Sequence, residues 1–187
     1  MSIDNPKSER INVTAIMAMS LNGRITKGTE ADERNWTSKE DKDFFNSIIS
    51  SADSVVMGIN TFNATPKSKV PKYSHRLSVV LTHNPEDFSE YESSGIREFW
   101  DKSAHELVVE LEKRGFKSAL LLGGGGVNAE FFGSGLVDEL WLTIEPKIFG
   151  SGKLLIEDFS ELETNFNLES HRQLNNEGTL LLHYIKS

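Results

Sequence analysis

Four consecutive glycines, Gly123, Gly124, Gly125 and Gly126, follow a short apolar run that starts at Ser118, and a segment of helical character comes after them. No other stretch restricts the fold as strongly. Without Cβ atoms the turn exposes backbone N–H groups, and the helix behind it adds unpaired amides and a positive dipole end. Such a turn suits a pyrophosphate. A plain connection between a buried strand and a helix needs one or two glycines rather than four. Gly124 and Gly125 are expected to combine positive φ with close approach to phosphate, which a β-branched side chain would exclude.

The rest of the chain supplies strands and helices in alternation. Residues 11–20 are β-rich and apolar on both faces, as in a central strand covered on two sides. Asn22 and Gly23 make a turn, and residues 28–35 are polar and loop-like. Thr37 or Ser38 caps a helix reaching about residue 51, with Glu40 and Asp41 in its first turn and Phe44, Phe45, Ile48 and Ile49 on one stripe. A short strand over 54–57 runs into Gly58 and a helix start at Asn60 and Thr61. An exposed loop follows at 66–75, then strands at 77–81 and 96–99, and a helix over 103–114. Three last strands, at 140–144, 166–174 and 180–185, have no long helices between them, so antiparallel pairing is expected at one edge. The fold class is α/β, a single domain with a mostly parallel mixed sheet, residues 1–10 forming a disordered tail.

Composition narrows the function. The 187 residues can bury a substantial core, and the absence of cysteine excludes disulfides, thiolate nucleophiles and cysteine-ligated zinc. With 28 acidic against 20 basic side chains the net charge is −8, which repels nucleic acid and anionic lipid alike. Nothing resembles a signal peptide or a membrane span, so a cytoplasmic location is expected, with no membrane partner. The five histidines, His75, His83, His105, His171 and His183, lack metal-like spacing, and no metal is expected.

Gly124, Gly126 and Ala129 satisfy the dinucleotide pattern G-x-G-x-x-A, but the turn comes late in the chain, after several strands. Glu145, at the end of the next strand, would be the ribose ligand of that alternative. Four other segments point elsewhere: SLNGRI at 20–25, WTSKED at 36–41, ADSVVMGINTF at 52–62 and GGGGVNAEFFGSGLVDELWLTIEPKIFGSGKLL at 123–155. On these residues the chain resembles the dihydrofolate-reductase-like family, in the branch that includes the reductase domain of the bifunctional riboflavin-biosynthesis deaminase-reductase. The resemblance covers nearly the whole chain. It implies a three-layer α/β/α fold, NADPH as the cofactor, hydride delivery to a pterin-like or aminopyrimidine ring, and a homodimer.

The resemblance also implies roles. Gly58, Asn60 and Thr61 would hold phosphate, and Thr82 and His83 would lie by the adenosine ribose. Gly123, Gly124, Gly125, Gly126 and Val127 would receive the pyrophosphate and nicotinamide, with Ala18 and Ile25 contacting the nicotinamide amide. Asp41, five residues after Trp36 and followed by Phe44 and Phe45, is similar to the acid that dihydrofolate reductases place on the substrate-facing helix. Alternatively it only complements the helix dipole. Strand alternation puts Trp141, Thr143 and Glu145 on one face. Thr143 resembles the threonine that meets the substrate acid, and Glu145 is either a second ligand or acid, or an exposed strand end before Pro146. Trp36 and Asn22 complete the substrate set.

Two residues depart from the family's pattern. Ile59 stands where an arginine often follows the glycine, and Asn22 replaces the acid of SLDG. Arg24, Lys27 and Arg34 are the cations available for a ribose phosphate. The expected activity is reduction of 5-amino-6-(5-phosphoribosylamino)uracil. Reduction of a pterin or dihydrofolate is the enzymatic alternative, and a non-catalytic nucleotide-binding module is the other.

Overall fold

The computed structural model describes residues 10–28, 36–65, 76–157 and 163–187. Residues 1–9 of the tail expected over 1–10, most of the loop at 28–35 including Arg34, and the loop at 66–75 including His75 lie outside the described residues, whereas Arg10 is held by the fold, donating to Leu136 O at 3.1 Å. Eight strands form one sheet: β1 (Asn12–Ser20), β2 (Ser54–Gly58), β3 (Leu77–Leu81), β4 (Arg97–Trp100), β5 (Ser118–Leu121), β6 (Glu139–Glu145), β7 (Phe166–Gln173) and β8 (Leu180–Lys186). Their order across the sheet is β4-β3-β2-β5-β1-β6-β8-β7. From β4 to β6 all neighbours pair in parallel, and β8 and β7 add antiparallel pairs at one edge.

Strand β1 lies between β5 and β6, which explains its apolar character on both faces. One face of the sheet is covered by α3 (Ala104–Lys113) and α4 (Gly125–Gly133). Leu107, Leu111, Phe131 and Phe132 pack there against Val13, Ala15, Val56 and Leu121. The other face carries α1 (Lys39–Ile49) and the short α2 (Ile59–Asn63), where Ile49 and Phe62 meet Ile16, Val55, Met57 and Val80. The result is three layers. Each large side chain fully buried in this way contributes about 1.5–3 kcal/mol.

Local signals set the helix ends. The Ser38 side chain caps α1 by accepting from Asp41 N, and Ser103 with Glu106 forms a capping box at α3. Helix α4 starts inside the glycine run, with Gly124 as its N-cap and no side-chain cap. A 3-10 stretch at Pro85–Tyr91 joins β3 to β4, and its Phe88 stacks on Phe99 at 5.2 Å. No helix among the described residues is long and apolar enough to cross a membrane.

Candidate active site

Parallel pairing brings the carboxyl ends of β1 to β5 to one rim, and ligands of open α/β sheets bind at that rim. Two turns meet there. Gly58, which ends β2, donates its N–H to the carbonyl of Gly123 at 2.8 Å. A Cβ on Gly58 would stand 2.8 Å from Val127 Cγ2, and one on Gly123 would meet Asn128 Oδ1 at 3.0 Å and Met17 Cε at 3.1 Å. These two glycines therefore lock the turns together.

The four glycines of the run do different things. Only Gly123 has positive φ, at 77°, so the positive φ expected at Gly124 and Gly125 is not there. Its side faces the core, and it does not line the cleft as the sequence had suggested. A Cβ on Gly125 would lie 2.7 Å from both Leu154 O and Glu157 Cγ, so this position is closed by packing. At Gly126 a Cβ would meet nothing within 4 Å, and at Gly124 only Thr61 Oγ1 at 3.5 Å. Gly124 and Gly126 thus leave the uncapped amino end of α4 open to the cleft.

The cleft has a volume of about 610 Å³, within the range of small-molecule sites. Ala18, Ile25, Gly58, Asn60, Thr61, Thr82, His83, Gly124, Gly125, Gly126 and Val127 all line it, as do Trp36 and Asp41. At one end Thr82 is buried, its hydroxyl accepting from Asn84 N at 3.3 Å, and exposed His83 places Nδ1 3.1 Å from Asp101 Oδ1. Lys102 lies beside them at the end of β4, over the ring of Trp100 at 5.9 Å. Ile59 also lines the cleft, at the position where the resemblance leads one to expect arginine. Sequence reading missed Asp101 and Lys102, although their place just after a parallel strand was a usable signal. It also missed Lys153 and Glu157, which line the cleft and face each other at 3.5 Å.

Asp41 reaches the cleft because α1 crosses β6. Trp141 packs on Phe44 with ring centroids 5.1 Å apart, Thr143 bonds the Asp41 carboxyl, and Glu145 accepts the N–H of Ser38 at 2.6 Å. Steps of two along the strand match steps of three along the helix. Burial raises the Asp41 carboxyl above its ordinary range; hydrogen bonds from Thr143 and Thr37 oppose the shift, and the charge of Glu145 reinforces it. Trp36 is buried edge-on against Phe149 at 5.0 Å and forms a wall of the same space.

Three further expected site residues do not line the cleft. Glu145 is 1% exposed and does not line the cleft, so it is neither an exposed strand end nor a ligand in direct reach. Thr143 meets the Asp41 carboxyl, as the resemblance implied, but stands behind it and not in the cleft wall. Asn22 is absent from the lining: its Nδ2 donates to Phe149 O at 2.8 Å, and its Oδ1 accepts from Phe149 N at 3.2 Å and Ser20 Oγ at 2.8 Å. It joins two loops. Arg24, one of the expected phosphate cations, instead donates to Gly152 O at 2.7 Å. The dinucleotide-fingerprint alternative fails on topology, because β1 separates β5 from β6 and Glu145 is buried away from the glycine turn.

The sheet order and the cleft across its parallel carboxyl ends define a dihydrofolate-reductase-like α/β fold. The chain belongs to the RibD C-terminal domain family, which it matches over residues 12–180. Two curated relatives come from Bacillus subtilis (strain 168), both described as uncharacterized. YyaP is 28% identical over 177 residues, covering 89% of this chain and 88% of that protein. YwjB is 23% identical over 175 residues, covering 91% and 95%. Among solved structures, a pyrimidine reductase-like protein from Corynebacterium diphtheriae superposes with a TM-score of 0.71 at 18% identity, over 96% of this chain and 93% of that one. The diaminohydroxyphosphoribosylaminopyrimidine deaminase/5-amino-6-(5-phosphoribosylamino)uracil reductase of Thermotoga maritima gives 0.71 at 16% identity. There the match covers 95% of this chain and 57% of the larger protein.

Proposed function

We propose that the protein is an NADPH-dependent reductase of a substrate that carries a flat nitrogen heterocycle, with 5-amino-6-(5-phosphoribosylamino)uracil the first to test. The observation that carries this reading is that Asp41 and the glycine turn line one cleft. Family membership supports the same chemistry. The residues present fit a dinucleotide: Gly124 and Gly126 leave room where side chains would stand, and the amino end of α4 offers unpaired amides to a pyrophosphate. Thr61 and Asn60 border that space, Thr82, His83 and Lys102 lie toward the adenosine end, and Ala18 and Ile25 toward the nicotinamide.

The bound cofactor supplies the hydride. The protein orients and shields. Asp41, held by Thr143 and Thr37, pairs with an N–H and NH₂ edge of the heterocycle and can hold a proton at its carboxyl, because burial favours the protonated form. Trp36, Phe45, Ile16 and Leu122 give the ring an apolar seat and exclude water. A pterin-like substrate is the second reading. The engagement of Arg24 by Gly152 favours it, since one cation expected for a ribose phosphate is already held elsewhere. The working form in this reading is a homodimer in the cytoplasm, and a monomeric mass by light scattering at micromolar concentration would rule the dimer out.

Titrating the protein with NADPH while following nicotinamide fluorescence tests the cofactor site. Adding the phosphoribosylaminouracil or a dihydropterin and following loss of the nicotinamide absorbance then separates the substrates. Saturable binding followed by oxidation with one of them supports the proposal; no saturable binding removes it.

A further inference from the structure

Glu145 is the most deeply buried carboxylate among the described residues, and nothing in the hydride-transfer reading uses it. Its Oε1 accepts the backbone N–H of Ser38 at 2.6 Å and its Oε2 accepts the hydroxyl of Thr179 at 3.0 Å. Lys147 Nζ stands 4.0 Å from Oε2 and donates to the carbonyl of Trp36 at 2.5 Å. Thr179 is fully buried and is itself held by Asn175, whose Nδ2 reaches Glu40 Oε2 at 3.3 Å. One carboxylate thus joins the end of β6, the cap of α1 and the turn between β7 and β8.

Ser38 is the N-cap of α1 and Asp41 lies in the first turn after it, so the bond from Ser38 to Glu145 fixes the turn that presents Asp41 to the cleft. Both oxygens accept, one from Ser38 N and one from the Thr179 hydroxyl, and a glutamine of the same shape could keep only one of these bonds as an acceptor. The carboxylate also lies on the face of β6 that carries Thr143, two residues from the hydroxyl that bonds Asp41, so it bears on that carboxyl as well as on the cap of α1.

We propose that Glu145 is a positioning residue that sets both the place and the protonation of Asp41. This rests on the reading that Asp41 meets the substrate. Around Asp41 the charged groups are Glu145 on β6, which favours its proton, and Lys42 on its own helix, which opposes it. The hydroxyls of Thr143 and Thr37 also favour the ionised form. Lys147 acts on Glu145 directly; Glu40 is bonded to Asn175, and Arg172 of β7 lies over the ring of Phe44 at 5.8 Å. With the Glu145 carboxylate held in this place, Asp41 keeps a proton to a higher pH than it would without that neighbour, and stays available to a ring nitrogen.

The test reads Asp41 itself. Aspartate labelled at the side-chain carboxyl with carbon-13 is incorporated into the whole protein, and the Asp41 resonance is identified by its loss in Asp41→Asn. Its titration midpoint should fall in Glu145→Gln and rise in Lys147→Gln, where the compensating cation is removed. Opposite shifts from two neighbours are not produced by a purely structural anchor. An unchanged midpoint in folded Glu145→Gln overturns the proposal. Should that variant fail to fold, an unchanged midpoint in Lys147→Gln overturns it. The titration needs neither cofactor nor substrate, so its result is separate from that of the NADPH experiments.

Discussion

The backbone N–H of Gly58 donates to the carbonyl of Gly123 at 2.8 Å, and this bond joins the turn after β2 to the turn after β5. Around it, closed and open glycines stand side by side. Gly126→Val adds a side chain where nothing lies within 4 Å, so the fold should be retained while nucleotide affinity falls roughly tenfold or more as the branched group meets the pyrophosphate. Gly125→Ala must displace Leu154 O or Glu157 and should cost about 1–3 kcal/mol of stability. Thermal melting and fluorescence titration on both variants check this pair, and equal nucleotide affinity in Gly126→Val and wild type would remove the anion site.

Asp41→Asn separates substrate binding from helix stabilisation. The amide keeps the shape but not the charge, and turnover should fall by roughly one to three orders of magnitude with cofactor affinity unchanged. The folded state raises the Asp41 carboxyl, mainly through burial. Its contribution to stability is therefore fully present below the ordinary aspartate range and is lost as pH rises through the raised folded value. Above that raised value the wild type carries a carboxylate that its site disfavours, so Asp41→Asn should gain stability relative to wild type as pH rises and lose that advantage in acid. Melting curves across pH check the sign; a variant that melts lower at neutral pH with turnover intact would reduce Asp41 to a helix-dipole residue.

Asn22→Asp restores the acid usual in SLDG and should nevertheless destabilise. A carboxylate cannot donate to Phe149 O, which the Asn22 amide now does at 2.8 Å, and the lost bond should cost about 1–3 kcal/mol. Protonation restores a donor, so the penalty should shrink as pH falls. Urea unfolding at neutral and acid pH measures it, and an unaltered midpoint at neutral pH would contradict this role.

NADPH should bind more tightly than NADH despite Ile59, because Thr82, His83 and Lys102 border the end of the cleft assigned to the adenosine. Replacing both His83 and Lys102 by alanine should bring the two dissociation constants together, chiefly by weakening NADPH about threefold to tenfold. Equal constants in the wild type would refute the assignment.

Much of this site was legible in the sequence because its signals are local. The alternation over β6 put Trp141, Thr143 and Glu145 on one face, and the Ser38 cap with acids behind it set the start of α1. Glycine spacing marked both turns. What could not be read depends on partners far apart in the chain. Insertion of β5 between β2 and β1 brings Gly58 against Gly123, and no local pattern encodes that order. Asn22 looked like a ligand because its bond to Phe149 forms only when two distant loops pair. Gly125 looked like a phosphate contact because the segment at 154–157 that closes over it carries no sequence signature.

The central claim is that hydride passes to a substrate whose heterocycle is held by Asp41. Its most direct measurement uses NADPH carrying deuterium at both positions of C4 of the nicotinamide ring, incubated with the protein and either 5-amino-6-(5-phosphoribosylamino)uracil or a dihydropterin, with the products read by mass spectrometry. The account predicts deuterium in the reduced product of one of these substrates, with wild type and not with Asp41→Asn. Saturable NADPH binding with no label transferred to either substrate would contradict it and leave a nucleotide-binding protein without reductase chemistry.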